Sequence, residues 1–366
     1  MSQDPDPQSL PAKVLDYPAR DMTITVETDL SYGELQQILA REGQQLPIDV
    51  ADDSITLATM IYSDLCGPRE FGCGTLRDYV IGIEAIDGHG RRFHGGGKVV
   101  KNVAGYDLCR LLVGSEQRFG RLISATLKVV PVLADSCLVC AGFASAAELE
   151  ATLSRLNTSQ TTPVLMDLIC SGNTDSFQAV SGFADAVARG TQTGDKAAAF
   201  LVLGFTGPEN VCRWQAETAV AELQQGSSTA FIIPNQAVFQ SWCRTACRAA
   251  SGTLPAAPEW LLELRILPSL VAAITFELLE CGCRIYGRAG NGRIWVQPDP
   301  SGTSPEGQQD SQALALMQSA AASCNGSLKL IVGKADLPDM LPDSVQQLVS
   351  QLQLALGSST LTESNS

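Results

Sequence analysis

Hydrophobic and polar positions along the first third of this chain resolve into short, alternating elements. Met22 to Glu27 sets Ile24 and Val26 against threonines with a period of two, which predicts a half-buried strand. Ser31 and Glu34 then stand in the S-x-x-E capping-box pattern, Leu35, Ile38 and Leu39 share one helical face, and Gly43 supplies a C-terminal stop. Leu46 to Asp49 continues as an extended run. Tyr79 to Ile86 mixes aromatic and β-branched residues, Asp87-Gly88 supplies a turn, and Arg91 to His94 returns, which predicts a β-hairpin. Asp107 to Val113 has apolar residues at helical spacing closed by Gly114, and Leu122 to Val132 reads as a strand that Pro131 ends.

After Pro131 the texture changes, and a second domain is expected to start there. Cys137 to Phe143 predicts a strand and Ala146 to Leu156 a helix; Ala197 to Gly204 is a buried strand and Val211 to Leu223 a helix. Strand-like segments recur at Trp260 to Leu267 and Arg293 to Gln297, whereas Gln297 to Gln312 is a polar Pro/Gly/Ser loop. Val345 to Leu356 carries Val345, Leu348, Val349, Leu352 and Leu356 on one stripe, a helix stopped by Gly357. The whole predicts an α+β chain: a disordered polar start over 1–12, a first domain over 13–133, an α+β cap with an antiparallel sheet over 134–356, and a solvated tail over 357–366.

Composition narrows the function classes. At 366 residues with 45% apolar content, the chain is long enough for two cores of ordinary size. A formal charge of −14 without any Lys/Arg cluster argues against a nucleic-acid or anionic-membrane partner. No apolar run is long enough for a transmembrane segment, and the polar start does not resemble an export signal, which predicts a cytosolic protein. The twelve cysteines are scattered through apolar sequence, and Cys137-x-x-Cys140 has no second close pair around it. They read as buried free thiols rather than as ligands of an iron–sulfur cluster or another metal.

The most specific stretch runs from Gly67 to Val132, where the motifs GTLRDYVIG, KNVAGYD and ATLKVVP follow one another. Together they resemble the PCMH-type FAD-binding domain of the vanillyl-alcohol oxidase family, in the branch that holds the FAD-binding subunits of bacterial glycolate oxidase. The resemblance covers about residues 13 to 133. It implies that FAD is held by two glycine-rich turns, since backbone N–H groups of a loop without side chains approach a pyrophosphate closely. The first turn belongs to a strand-helix unit that would precede Lys13, so the resemblance implies a domain shortened at its N-terminus. The second turn reads Ala-Thr-x-Gly-Gly in the family, and the matching residues are Ile55, Thr56, Leu57, Ala58 and Thr59, with both glycines replaced.

Other implied cofactor contacts are better kept. Gly74, Thr75 and Asp78 match the G-T-x-R-D turn with Arg77 as its arginine, and Gly120 and Leu122 match positions whose backbone meets the flavin nucleotide. Gly105, Tyr106 and Asp107 complete KNVAGYD, read mainly as loop architecture, while Glu116, Gln117, Arg118 and Phe119 replace small residues and are expected to narrow the cofactor groove. Each of these has a plainer reading. Gly72, Gly74 and Gly82 read equally as turn residues, and Asp78 as the cap of a backbone turn. Gly95-Gly96-Gly97-Lys98 lacks the spacing and the Ser/Thr of a phosphate loop.

Oxidation of a 2-hydroxy acid needs a base for the hydroxyl proton and cations for the carboxylate. The two histidines, His89 and His94, both lie in the hairpin and read as surface residues, and the cap has none. Arg284, Arg288 and Arg293 read either as an anion receiver or as solvated arginines of a strand-turn-strand, so no catalytic residue is assigned. The resemblance implies one subunit of a glycolate oxidase-like complex acting on glycolate or D-lactate. Its partners would be a second flavin subunit and an iron–sulfur subunit, and this chain would relay electrons or complete the assembly. The alternative is a flavin-free scaffold that keeps the fold and has lost the cofactor.

Overall fold

The computed structural model describes residues 11–97, 107–170, 177, 180, 183, 197–227, 229–254, 258–298, 308–333 and 350–354. It separates into two units, one of Met1–Cys66, Cys73–Val132 and Leu341–Ser366, the other of Gly67–Gly72 and Leu133–Met340. The fold is mixed α+β in both.

In the first unit, β1 (Val14–Asp16), β2 (Thr23–Glu27), β4 (Val80–Ile86), β5 (Arg92–Gly96) and β6 (Arg121–Lys128) form an antiparallel sheet in the order β1-β2-β6-β4-β5. The short strands β3 (Gln44–Gln45) and β7 (Val130–Pro131) pair separately. Helix α1 (Tyr32–Ala40) begins with the full capping box: Glu34 N–H donates to the Ser31 hydroxyl, and Ser31 N–H donates to the Glu34 carboxylate. Its Leu35, Ile38 and Leu39 join Ile24, Val26, Ala85, Ala125 and Leu127 of the sheet in one core, together with α2 (Leu57–Ser63) and α4 (Leu108–Leu112). The β4/β5 hairpin pairs Glu84 with His94 and Ile86 with Arg92. Its turn is wider than the Asp87-Gly88 reading: the Asp87 carboxylate accepts from the His89 and Arg91 amides, and the left-handed residue is Gly90. His89 and His94 are exposed.

In the second unit eight strands form one antiparallel sheet in the order β11-β8-β10-β9-β13-β14-β12-β15. They are β8 (Asp135–Phe143), β9 (Leu165–Cys170), β10 (Ala199–Gly207), β11 (Thr229–Ile233), β12 (Leu261–Arg265), β13 (Cys283–Arg288), β14 (Arg293–Pro298) and β15 (Ser327–Val332). One face is covered by α5 (Ala146–Leu156), α6 (Glu209–Leu223), α8 (Val271–Glu280) and α9 (Gln308–Ser323). The other is covered by α7 (Gln236–Ser251) with Phe177 and Phe183. The polar loop read over 297–312 gives way to α9 from Gln308, whose inner side is Ala313, Met317, Ala320 and Ala321. Of the predicted helix over 345–356, residues 350–354 are helical and the rest lies outside the described residues.

None of the twelve cysteines is in a disulfide, and nine are buried. Cys137 and Cys140 lie three apart on β8, so they point to opposite faces and enter different cores. One ion therefore cannot take both. Burial pushes the Cys137 thiol up to about 12 and Cys109 up to about 11.

Candidate functional site

Thr56 caps α2 with its hydroxyl, which accepts from Thr59 N–H at 3.3 Å. The two amides between them are also spent: Leu57 N–H donates to the Leu30 carbonyl at 3.0 Å and Ala58 N–H to the Thr28 carbonyl at 2.7 Å. This first turn of α2 is the segment matched to the second glycine turn, and each of its three amides is paired within the chain.

The G-T-x-R-D turn is likewise self-contained. Asp78 closes a capping box around the 3-10 turn Leu76–Asp78, its carboxylate accepting from Thr75 N–H at 2.8 Å and from the Thr75 hydroxyl at 3.2 Å. Gly74 supports this with φ +85°, and a side chain there would meet the Asp78 carboxylate. The capping reading of Asp78 is thus the one the geometry bears. Arg77 donates to the Val113 carbonyl at 3.1 Å and pairs with Asp64 at 3.5 Å, tying the end of α2 to the loop before β6.

That loop is stitched to α2 by its backbone: Gly114 N–H donates to the Ile61 carbonyl and Glu116 N–H to the Tyr62 carbonyl. Glu116 and Gln117 sit in the left-handed region at φ +50° and +63°, which accounts physically for the small residues expected there. The narrowing expected of the bulky turn takes another form. Phe119 is buried in the core, while Glu116, Gln117 and Arg118 are exposed.

Gly120 has φ +142°, and a Cβ there would come within 2.6 Å of the Ile86 carbonyl oxygen. Close packing on β4 already requires a glycine at this position. Beside it lies a residue the sequence did not single out. The Tyr62 hydroxyl donates to the Gly120 carbonyl at 3.1 Å and accepts from Leu122 N–H at 2.6 Å. Burial raises the Tyr62 phenol above its ordinary value, against the opposing pull of the Leu122 amide and Arg121. The backbone groups matched to the flavin nucleotide are therefore held by a tyrosine of the chain itself. Gly105 and Tyr106 lie outside the described residues; Asp107 caps α4 by accepting from Arg110 N–H.

The second unit holds a polar assembly of its own. Asp167, fully buried on β9, accepts from the Trp242 indole at 2.7 Å and from the Tyr286 hydroxyl at 3.2 Å. Burial and Asp167 push the Tyr286 phenol well above its ordinary range. Arg288 lies opposite Asp167 in the β13/β9 register, Arg293 opposite Arg288, and Arg265 opposite Arg293. Three guanidinia thus stand abreast across three strands. Both Arg288 and Arg293 lie over the Trp295 ring, at 4.8 and 4.9 Å from its centre. Glu263 pairs with Arg293 at 2.7 Å and Arg265 at 3.0 Å, and Glu70 pairs with Arg288 at 2.9 Å and Arg293 at 2.8 Å.

Neither reading of these arginines was complete. Arg288 is buried rather than solvated, and the anion that it and Arg293 receive is Glu70; Arg284, at the other end of β13, is half-buried. Burial works against the Arg288 charge, but Tyr286 and Glu70 outweigh it and hold the guanidinium firmly protonated. No group of three metal-ligating side chains occurs among the described residues.

Residues 9–96 match the family described as FAD binding domain. Over 120 residues the chain is 36% identical to glycolate oxidase subunit GlcE of Escherichia coli (strain K12), a stretch covering 32% of this chain and 34% of that protein. It is 35% identical over 120 residues to glycolate oxidase subunit GlcD of Bacillus subtilis (strain 168), covering 32% of this chain and 26% of the relative. It is 34% identical over 110 residues to a D-lactate dehydrogenase of Archaeoglobus fulgidus, covering 30% and 25%. The match thus spans about a third or less of each of these relatives. A solved alkyldihydroxyacetonephosphate synthase superposes with a TM-score of 0.64 at 16% identity, over 94% of this chain and 65% of that one, a likeness of fold.

The family match points to FAD for residues 9–96. As the described residues stand, they do not form an open pyrophosphate cradle, because the amides of Leu57, Ala58, Thr59, Thr75 and Leu122 each donate within the chain. The scaffold is that of the family, while the donors are in use. Residues 9–96 of this chain are thus similar to an FAD binding domain, on a fold that the solved synthase shares.

Proposed function

We propose that this chain is a subunit of a glycolate oxidase-like complex that oxidises a small 2-hydroxy acid such as glycolate or D-lactate. In this reading Thr56, Leu57, Ala58, Thr59, Gly74, Thr75, Asp78, Gly120 and Leu122 border the flavin groove. The chain holds FAD weakly by itself, because binding must first release amides that the fold has already paired. It acts with a second flavin subunit and an iron–sulfur subunit, relaying electrons or completing the assembly.

The self-paired first turn of α2 carries this reading. A supporting observation is the placement of both histidines on the exposed hairpin, which leaves the second unit without the commonest general base for a hydroxyl proton. The same pairing also favours a second reading, a flavin-free scaffold, and the two are separated by one purification. The complex isolated with its partners is expected to contain flavin bound to this chain, detected as absorbance near ~450 nm that denaturation releases. A complex that turns over glycolate while this chain, separated from it, takes up no flavin at any concentration establishes the scaffold. A chain that oxidises 2-hydroxy acids steadily without partners overturns both readings.

A further inference from the structure

The sheet of the second unit sets Arg288, Arg293 and Arg265 side by side, an arrangement that like-charge repulsion disfavours unless anions stand among them. The strands themselves supply two nearby carboxylates. Asp167 is engaged by Trp242 and Tyr286, and Glu263 neutralises Arg265 and one side of Arg293. Lys329, opposite Glu263 on β15, is exposed and adds a further positive charge. The carboxylate that completes the balance comes from outside the sheet. Glu70, 218 positions before Arg288, places one oxygen between Arg288 and Arg293.

Glu70 arrives on a slender attachment. It opens the four-residue helix α3 (Glu70–Cys73), and the stretch Gly67–Gly72 belongs to the second unit while the chain on both sides of it belongs to the first. Its backbone is tied by Gly72 N–H to the Val164 carbonyl at 3.0 Å, and Phe71 lies against Gly290 in the turn between β13 and β14. A side chain on Gly72 would strike Val164 and one on Gly290 would strike the Phe71 ring, so both glycines serve this close approach. Exposure rises along the arginine row, from 2% at Arg288 to 15% at Arg293 and 55% at Arg265, so the row opens to solvent at one end.

We propose that Arg288 and Arg293, backed by Trp295, form a carboxylate-binding site that Glu70, carried on Gly67–Gly72, fills in cis. With Glu70 withdrawn, the site takes a small monocarboxylate in its place. Two guanidinia converging on one oxygen above an aromatic face form a preorganised anion receptor, and leaving them buried without an anion is costly. The inference rests on the second unit alone and stands whether or not the redox reading does.

The test is chemical rescue of the full-length Glu70→Ala variant. It is expected to melt below the parent, and ~100 mM sodium acetate is expected to raise its Tm by about 3 °C if that is ten times the dissociation constant. Sodium chloride at equal ionic strength and neutral acetamide are expected to have no such effect, the parent is expected not to respond, and Arg293→Gln added to Glu70→Ala is expected to cancel the rescue. Should Glu70→Ala not fold unaided, refolding from denaturant in acetate is expected to recover it where chloride does not. Equal responses to acetate and chloride, an equal acetate shift in the parent, or refolding that acetate does not favour overturns the proposal.

Discussion

Gln117 is exposed and holds a left-handed φ of +63°, a conformation that costs a non-glycine residue about 1–2 kcal/mol. Gln117→Gly removes that strain and adds unfolded-state entropy, so we expect a net gain of about 0.5–1 kcal/mol in denaturant unfolding. Tyr62→Phe removes the hydroxyl that bridges Gly120 and Leu122 and leaves the Leu122 amide without its acceptor. A loss of about 1–3 kcal/mol is expected in the same assay, and a neutral result would mean that water takes the place of the hydroxyl. The sequence could not announce Tyr62. It stands 60 positions before Leu122, and no local pattern marks a contact over that distance. Glu70 was hidden for a related reason: it stands 218 positions before Arg288, and a charged residue so far from its partner reads as surface until the fold buries the two together.

Elements whose signal is local were legible. Ser31 with Glu34 marked the start of α1, the apolar spacing of Ala146–Leu156 gave α5, and the alternation around Ile83 and Ala85 gave β4 and β5. Elements whose buried face is made of small or weakly apolar residues were not. Helix α9 buries mostly alanines and so shows no strong apolar stripe, whereas α7 does carry one, with Val238, Phe239 and Trp242 on its buried face.

Helix α2 is the element on which the proposed cofactor binding turns. Ala58→Gly together with Thr59→Gly lowers helix propensity, by about 1 kcal/mol at Ala58 and a few tenths at Thr59, and removes two side chains from the matched turn. Tighter FAD binding is expected in a fluorescence-quenching titration, and unchanged affinity would show that this turn is not where the nucleotide lies. In the second unit, burial pulls the Glu263 carboxyl up, but Arg293 and Arg265 outweigh it and hold it below 4.5. A carboxyl depressed on folding adds stability that is fully present above its unfolded value of about 4.3 and is lost as pH falls through the lower folded one. Glu263→Gln should therefore be less stable than the parent near neutrality and lose less stability on acidification below about pH 4.3, as followed by thermal melts.

At the scale of the molecule, the α+β fold class and the FAD-domain resemblance were readable from motifs, whereas the excursion of Gly67–Gly72 into the second unit was not. Six residues bounded by glycines carry too little pattern to reveal where they dock. Among the described residues, no helix is long and apolar enough to cross a membrane. The proposed weak hold on FAD follows from amides of the matched turns that are already paired within the chain. A charge-assisted hydrogen bond to phosphate contributes about 1.5–3 kcal/mol, so two unavailable donors weaken binding by a factor of about 10²–10⁴. Titration of the isolated, flavin-free chain with FAD tests this most directly. The account predicts a dissociation constant of about 1 μM or weaker, and tightening when the partner subunits are added. Nanomolar binding by the chain alone would contradict it.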